Sequence, residues 1–223
     1  MTGTTWSLVV PLKPLAVAKS RLAPVRVPGA GRPALALAFA VDTVAAALGC
    51  PAVADVTVVT DDEVAAAEMA ALGAFVVADG PAAGLNAALR HGAEAVRNRR
   101  AAAPVAALNA DLPALRPAEL SMVLREAVRA QERAFLADAA GTGTTLLTAP
   151  PHADLSPAFG GPSRARHLAG GAREILLPDV PSVRQDVDTP ADLRSALTLG
   201  VGPRTSRLVA AFSPPGAEVN PAG

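Results

Sequence analysis

Short apolar runs alternate along the chain with longer, alanine-rich segments in which apolar residues recur at helical spacing. The short runs are typical of buried strands, and the longer segments are typical of helices packed on a sheet. The predicted strands are WSLVVPL, DVTVVT, AFVVAD and VAALNA, and the helices between them span 33–48, 62–72 and 84–98. This alternation predicts an α/β protein, a Rossmann-like three-layer α/β/α fold with a mostly parallel, mixed sheet.

The second half of the chain is less regular. A further helix is predicted at 117–131, and the segments RAFLAD and TTLLTA flank a Gly-Thr turn, either as a strand pair or as a strand with a loop. Thr189, Pro190 and Asp192 fit the N-cap, N1 and N3 positions of a capping box and predict the final helix. We expect a single domain over 1–212 and a disordered tail at 213–223, which is rich in Pro and Gly.

Composition excludes several classes of function. Hydrophobic residues make up 51% of the 223 residues, so the chain can fold around a core. A formal net charge of zero, no Tyr and one Trp argue against a nucleic-acid partner, which is usually bound by basic grooves and aromatic platforms.

The longest apolar stretch contains Asp42 and is too short for a membrane span. The N-terminal residues lack the features of a signal peptide and Cys50 is the single cysteine, so we expect a cytoplasmic protein without membrane partners.

Three aspartates follow predicted strand ends. Asp111 lies in VAALNADLPAL, and Asp186 and Asp188 lie in VRQDVDTPADL. Ligands bind at the carboxyl ends of the strands in open α/β sheets, so the three side chains are expected to converge. On an extended strand Asp186 and Asp188 point to the same side, and two like charges there are unfavourable without a cation. We therefore predict a Mg²⁺ site with one or two ions, although Asp188 alone could instead be attracted to a helix end.

Basic residues follow the first predicted strand. Lys13, Lys19 and Arg21 lie in PLKPLAVAKSRL, where a Rossmann-like fold binds nucleotide phosphates. A solvated basic loop is the alternative. The sequence contains neither a P-loop motif nor G-x-G-x-x-G, so it supports neither a P-loop kinase nor a dinucleotide-binding dehydrogenase.

Two further segments are weaker candidates for the nucleotide. In VVTDDEV, one of Asp61 and Asp62 is expected to cap a helix while the other faces the crevice. In GPAAGLNAALRHG, glycine permits close backbone approach and Asn86 offers a donor and an acceptor to a base edge. A loop glycine before a helix N-cap would explain the second segment equally well.

Two other segments are candidates for an anion. In FGGPSRARHLAGGA, Gly160, Gly161 and Ser163 precede a helical stretch, where backbone amides and a hydroxyl would face an anion. The hydroxyls of Thr144 and Thr145 in GTGTT are a further candidate, although Gly-Thr turns are common.

Seven of these segments, taken in order, resemble a known family. They are PLKPLAVAKSRL, VVTDD, GLNAALRHG, NADLPAL, DAAGTGTTLL, FGGPSRARHLAGGA and DVDTPADL, and they cover nearly the whole chain. The chain resembles the guanylyltransferases that make the activated phospho-three-carbon precursor of the deazaflavin coenzyme F-420. It is related more distantly to glycosyltransferase-A-like nucleotidyltransferases, including the molybdenum-cofactor guanylyltransferases, although PLKP stands where those have a glycine-rich loop.

The resemblance implies transfer of GMP from GTP to phosphoenolpyruvate, with release of pyrophosphate and a functional link to the next transferase of the pathway. It also implies roles for the candidate residues. Lys13, Lys19 and Arg21 would act on the triphosphate in catalysis; Leu12, Lys13, Thr60, Asp61, Gly84 and Asn86 would bind the nucleotide; Thr145, Gly160 and Ser163 would bind the acid; and Asp111, Asp186 and Asp188 would bind Mg²⁺. Three alternatives stay open: 2-phospholactate as the acceptor, a nucleotide-binding regulatory module without catalysis, and a sugar transferase of the same fold.

Overall fold

The computed structural model describes residues 4–17, 31–80 and 82–210. Lys19, Arg21 and the predicted tail lie outside these ranges. The strands are β1 (Trp6–Pro11), β2 (Val53–Val59), β3 (Phe75–Val77), β4 (Val105–Leu108), β5 (Ala134–Ala137), β6 (Thr144–Ala149) and β7 (Arg173–Glu174). The helices are α1 (Arg32–Leu48), α2 (Glu63–Ala71), α3 (Leu85–Arg99), α4 (Pro117–Ala130), α5 (Ser163–Ala169), α6 (Pro181–Arg184), α7 (Pro190–Leu199) and α8 (Pro203–Ala210), with a 3-10 turn at Leu15–Val17.

In the described part of the chain, the strands form one mixed sheet in the order β3-β2-β1-β4-β6-β5-β7. Strands β3, β2, β1 and β4 are parallel, whereas β6 is antiparallel to both of its neighbours, β4 and β5. This arrangement confirms the predicted mostly parallel, mixed α/β fold.

Alternate residues of the central strand β1 pack against opposite layers of helices. Leu8 and Val10 belong to a buried cluster with residues of α1, α2 and α4, whereas Val9 belongs to a second cluster with residues of α3. All three side chains are fully buried. Burial on both faces explains why the β1 segment is a continuous apolar run rather than an alternating one.

Most predicted elements of the second half are also present. Strands β5 and β6 form an antiparallel pair, with Leu136 opposite Leu146. The capping box at the start of α7 is confirmed: the Thr189 hydroxyl accepts a hydrogen bond from the Asp192 N–H, and the Asp192 carboxylate accepts one from the Thr189 N–H.

Two predictions for this half are wrong. A short helix, α6, precedes Asp186 where a strand was predicted. The final described helix is α8 rather than α7. Its start is capped from a distance: the buried carboxylate of Asp42 on α1 accepts hydrogen bonds from the N–H groups of Arg204 and Thr205. A cap supplied from α1 leaves no signal in the local sequence of α8.

The strand order defines where a ligand can bind. From β1 the chain proceeds to β2 and β3 on one side and then returns to β4 on the other side of β1. Such a reversal opens a crevice at the carboxyl ends of β1 and β4. No helix in the described ranges is long and apolar enough to cross a lipid bilayer.

Candidate active site

A cavity of about 650 Å³ lies at this reversal of the strand order. Its lining begins with Pro11 and Lys13 after β1 and Asn109, Ala110 and Asp111 after β4. Its other lining residues are Leu85, Asp138, Thr142, Gly143, Thr144, Phe159, Gly160, Gly161, Ser163, Asp186 and Asp188. A volume of this size is typical of small-molecule binding sites.

The antiparallel strand β6 adds residues that a purely parallel sheet would not bring here. Because β6 runs against β4, its first residue, Thr144, lies near the carboxyl end of β4. Strand β5 is antiparallel to β6 and therefore runs in the same direction as β4, so Asp138 after its carboxyl end lies at the cavity as in a parallel sheet. The Asn109 N–H donates to the Thr145 carbonyl at 2.9 Å and joins the ends of β4 and β6.

The structure brings the three predicted metal-binding aspartates to one cavity. The Val187 N–H donates to the Asp111 carbonyl at 3.1 Å, which ties the two acidic loops together. Val187 is fully buried, while Asp186 and Asp188 on either side of it both line the cavity. Asp186 and Asp188 therefore lie on the same side of the chain, as expected, although the segment before them is a helix and not a strand.

The donor set is compatible with Mg²⁺. Mg²⁺ prefers oxygen ligands, keeps several waters, and is usually bound by one or two carboxylates together with substrate phosphates. Among the described residues, no group of three His, Cys, Asp or Glu side chains is close enough to hold a metal ion by itself. The carboxylates of Asp111, Asp186 and Asp188 are of the type that Mg²⁺ takes, and their role in metal binding stays a prediction.

Asp138 is a cavity residue that the sequence reasoning missed. Its two carboxylate oxygens accept hydrogen bonds from the N–H groups of Thr142 and Gly143, each at 2.9 Å. A Cβ atom at position 143 would collide with the Asp138 carboxylate, so a side chain there would displace the carboxylate from its bonds to the Thr142 and Gly143 N–H groups. The argument used for Asp111, an acidic residue just after a buried strand, would have found Asp138 as well.

Lys13 is the predicted basic residue that the structure describes in the cavity wall. It is exposed and lies at the carboxyl end of β1, as expected for a phosphate contact. The Leu12 side chain is buried in the core, and its N–H donates to the Val59 carbonyl. Any contact of Leu12 with a nucleotide would therefore involve its backbone.

Thr60 and Asp61 participate in the structure of the loop that follows β2. The Thr60 hydroxyl accepts a hydrogen bond from the Asp62 N–H, and the Asp61 carboxylate accepts one from the Asp79 N–H at 2.8 Å. Within the described chain, neither residue belongs to the cavity lining.

Asp62 caps α2, which confirms that one of the two neighbouring aspartates is a helix cap. Its carboxylate accepts hydrogen bonds from the N–H groups of Leu15 and Ala65, and these bonds lower its pKa below the usual value. The cap therefore also fixes the loop that follows β1.

Gly84 and Asn86 lie at the start of α3. Gly84 has a φ of +89°, a conformation that favours glycine, and the next residue, Leu85, lines the cavity. The Asn86 amide contacts a single residue at two points: it accepts a hydrogen bond from the Phe159 N–H at 2.8 Å and donates one to the Phe159 carbonyl at 3.1 Å.

Two of the three predicted acid-binding residues belong to the cavity wall near the start of α5. Gly160 and Ser163 line the cavity, and Gly160 has a φ of +92°. Thr145 is fully buried, and its hydroxyl has no hydrogen-bond partner among the described residues. In the described lining, Thr144 contributes to the cavity surface and Thr145 does not.

The buried side chain of His167 contacts the lining residue Thr144 and the loop residue Ala158. The Ala158 N–H donates to its Nε2 at 3.0 Å, so the proton of the neutral ring is on Nδ1, which lies 2.9 Å from the Thr144 hydroxyl. Burial, with smaller contributions from two nearby arginine charges, lowers the pKa of His167 from 6.5 to about 4. The ring is therefore neutral at physiological pH.

Arg164 on α5 has a structural partner in Glu174. Its Nε and Nη2 donate to the two carboxylate oxygens of Glu174 at 2.9 and 3.0 Å, and its Nη1 donates to the Gly141 carbonyl. This bidentate pair connects α5 to β7 and to the Asp138 turn.

Sequence comparison finds full-length relatives. Residues 6–211 match the family model described as guanylyl transferase CofC like. A phosphoenolpyruvate guanylyltransferase of Streptomyces coelicolor is 67% identical over 205 residues, which cover 92% of this chain and 96% of that protein. A phosphoenolpyruvate guanylyltransferase of Thermomonospora curvata is 59% identical over 219 residues, covering 97% and 94%.

Structural comparison finds nucleotidyltransferase-type folds. The 4-diphosphocytidyl-2C-methyl-D-erythritol synthase superposes with a TM-score of 0.56 at 14% identity, covering 88% of this chain and 99% of that one. The CMP:2-keto-3-deoxy-manno-octonic acid synthetase complexed with CTP gives 0.52 at 18% identity, covering 88% and 98%. At these identities the likeness shows the fold alone.

Proposed function

We propose that this chain, which belongs to the CofC-like guanylyl transferase family, transfers GMP from GTP to phosphoenolpyruvate and releases pyrophosphate. The observation that carries the proposal is one cavity at the carboxyl ends of β1 and β4 whose wall contains Lys13 and the three aspartates Asp111, Asp186 and Asp188. The names of the relatives supply the substrates, since two phosphoenolpyruvate guanylyltransferases are 59% and 67% identical to the chain. A role in coenzyme F-420 biosynthesis, with the next transferase as a functional partner, belongs to the same proposal.

The chemistry requires little covalent participation by the protein. A phosphate monoester has a second pKa of about 6, so near neutral pH the acceptor is a dianion that needs no general base. An oxygen of this phosphate attacks the α-phosphorus of GTP, a new P–O bond forms, and the bond to the pyrophosphate oxygen breaks. Two anions must be brought together in line, so positioning and charge neutralisation provide most of the rate enhancement.

Lys13 is proposed to bind the triphosphate and the departing pyrophosphate, because it is an exposed cation at the exit of β1. Lys19 and Arg21 are proposed to extend this contact. Leu12, Thr60, Asp61 and Gly84 are the proposed nucleotide-side residues, Leu12 through its backbone and Thr60 and Asp61 through the loop that they hold.

Asp111, Asp186 and Asp188 would hold Mg²⁺, which supplies charge stabilisation between the phosphates when it is bound. Without a cation, these carboxylates would repel both substrates. Gly160 and Ser163 in the cavity wall, together with Thr145 buried next to the lining residue Thr144, are proposed to bind the carboxylate of the acid.

Asparagine substitutions test the proposal, since Asp111→Asn and Asp186→Asn each remove a charge but keep the side-chain shape. Each is expected to lower pyrophosphate release by about 100-fold or more, because removing one contact to developing charge typically costs that much. Asp179→Asn is the matched control, since Asp179 is exposed and lies outside the described cavity lining. Full activity of both cavity variants would exclude the proposed role of the aspartates, whereas no pyrophosphate release by the wild-type protein would favour a nucleotide-binding module without catalysis.

A further inference from the structure

The loop between β6 and α5 forms part of the cavity wall without a helix or strand of its own. It spans residues 150–162, and its last part contributes Phe159, Gly160 and Gly161 to the cavity. Loops of this length are uncommon in compact domains and are usually functional. Such a loop needs contacts from other elements to keep one conformation.

Helix α3 supplies several of these contacts. Its side chain Arg97 donates to the Ala153 carbonyl, and its apolar face shares a buried cluster with Leu155 and Phe159. At its first turn, the Asn86 amide pairs with both backbone groups of Phe159. Asn86 therefore holds the backbone of the first loop residue that lines the cavity.

The Phe159 contact continues into a second set of interactions. The preceding residue, Ala158, donates its N–H to His167, and the His167 ring packs edge-on against the Phe159 ring at a centroid distance of 5.1 Å. Two consecutive residues of the loop are thus held from α3 on one side and from α5 on the other. Gly160 follows them directly.

The paired geometry limits what else the Asn86 amide can do. To turn toward a nucleotide base, it would have to give up both bonds to Phe159. Phe159 is only 5% exposed, so its N–H and carbonyl would then lose these partners in a largely buried position, where unpaired backbone groups are unfavourable.

We propose that Asn86 is a positioning residue for the acid-binding wall and acts through the Phe159 backbone rather than by reading the guanine base. This inference rests on the proposed function for its substrates but not for its geometry. Since Leu85 at the start of α3 and Phe159 in the loop both line the cavity, the Asn86 amide joins two separate parts of its wall. Its loss should weaken binding of the acid and leave the choice of nucleotide unchanged.

Three variants test the proposal by steady-state kinetics. Asn86→Ala removes both bonds and is expected to raise the KM for phosphoenolpyruvate about tenfold or more, while the KM for GTP and the preference for GTP over ATP stay within about twofold. Asn86→Asp retains an acceptor for the Phe159 N–H and is expected to recover part of the loss. Asn98→Ala is the matched control, because Asn98 is an exposed residue of the same helix.

Hydrogen exchange of the Phe159 amide, measured without substrates, gives a readout that is independent of activity. We expect faster exchange in Asn86→Ala, and wild-type exchange in Asn98→Ala. Unchanged exchange in Asn86→Ala would overturn the proposal, as would a changed preference for GTP over ATP with an unchanged KM for phosphoenolpyruvate. If the wild-type protein released no pyrophosphate, the proposed function would fail, yet the exchange experiment would still decide the role of Asn86.

Discussion

The buried ring of His167 makes the stability of the protein depend on pH in a defined window. In the folded protein its pKa is lowered from 6.5 to about 4, chiefly by burial, and its Nε2 must stay unprotonated to accept the Ala158 N–H. Between these pH values the unfolded chain binds a proton that the folded protein does not. The free energy of unfolding therefore falls as the pH falls through this window.

The magnitude follows from the two pKa values. Each pH unit across which only the unfolded state is protonated is worth about 1.4 kcal/mol. Lowering the pH from 7.5 to 5 should thus cost about 2 kcal/mol through His167 alone, and the full difference, reached below pH 4, is about 3 kcal/mol. Two kcal/mol is a large part of the stability of a typical domain.

Urea unfolding at pH 7.5, 6 and 5 measures this contribution when the wild type is compared with His167→Gln. Glutamine does not titrate but offers an oxygen to the Ala158 N–H, so the variant should lose about 2 kcal/mol less than the wild type over this range. His152→Asn is the control, because it replaces an exposed histidine that takes no part in the hydrogen bonds of His167. Equal pH dependence in the wild type and His167→Gln would refute the argument that His167 is neutral because it is buried.

Substitutions at two further residues test the packing of α3 on β1 and the contact between the loop after β1 and the start of α2. Gly92→Ala should destabilise the protein by about 1–3 kcal/mol in urea unfolding, because a Cβ on this residue of α3 would overlap the Val9 side chain of β1; unchanged stability would contradict this packing. Asp62→Ala should cost about 1–2 kcal/mol in thermal unfolding at neutral pH, since it removes the α2 cap and the bond to the Leu15 N–H, whereas Asp62→Asn should retain most of the stability. Equal losses in the two Asp62 variants would exclude the cap as the cause.

The sequence predicts elements whose information is local. The apolar runs of β1 and β4 and the capping box at Thr189 are visible within a few residues, and the structure confirms each of them. The placement of Asp186 and Asp188 on the same side of the chain also follows from local spacing, because one residue, the buried Val187, separates them.

The sequence does not predict features that depend on distant partners. Helix α8 begins where it does because Asp42 on α1 accepts its first hydrogen bonds. The Thr144 hydroxyl is a candidate in the sequence, but its place beside the end of β4 depends on the antiparallel pairing of β6 with β4. The polarity of Asn86 is visible in the sequence, but its pairing with the Phe159 backbone, 73 positions away, is visible only in the fold.

Pyrophosphate release tests the central claim most directly. The purified protein is supplied with GTP, Mg²⁺ and either phosphoenolpyruvate or 2-phospholactate, together with the transferase that consumes the activated product and its deazaflavin acceptor. The account predicts release with phosphoenolpyruvate that depends on GTP and is lost in Asp111→Asn. No release with either acid, in a coupled system shown to be competent with another guanylyltransferase, would contradict it.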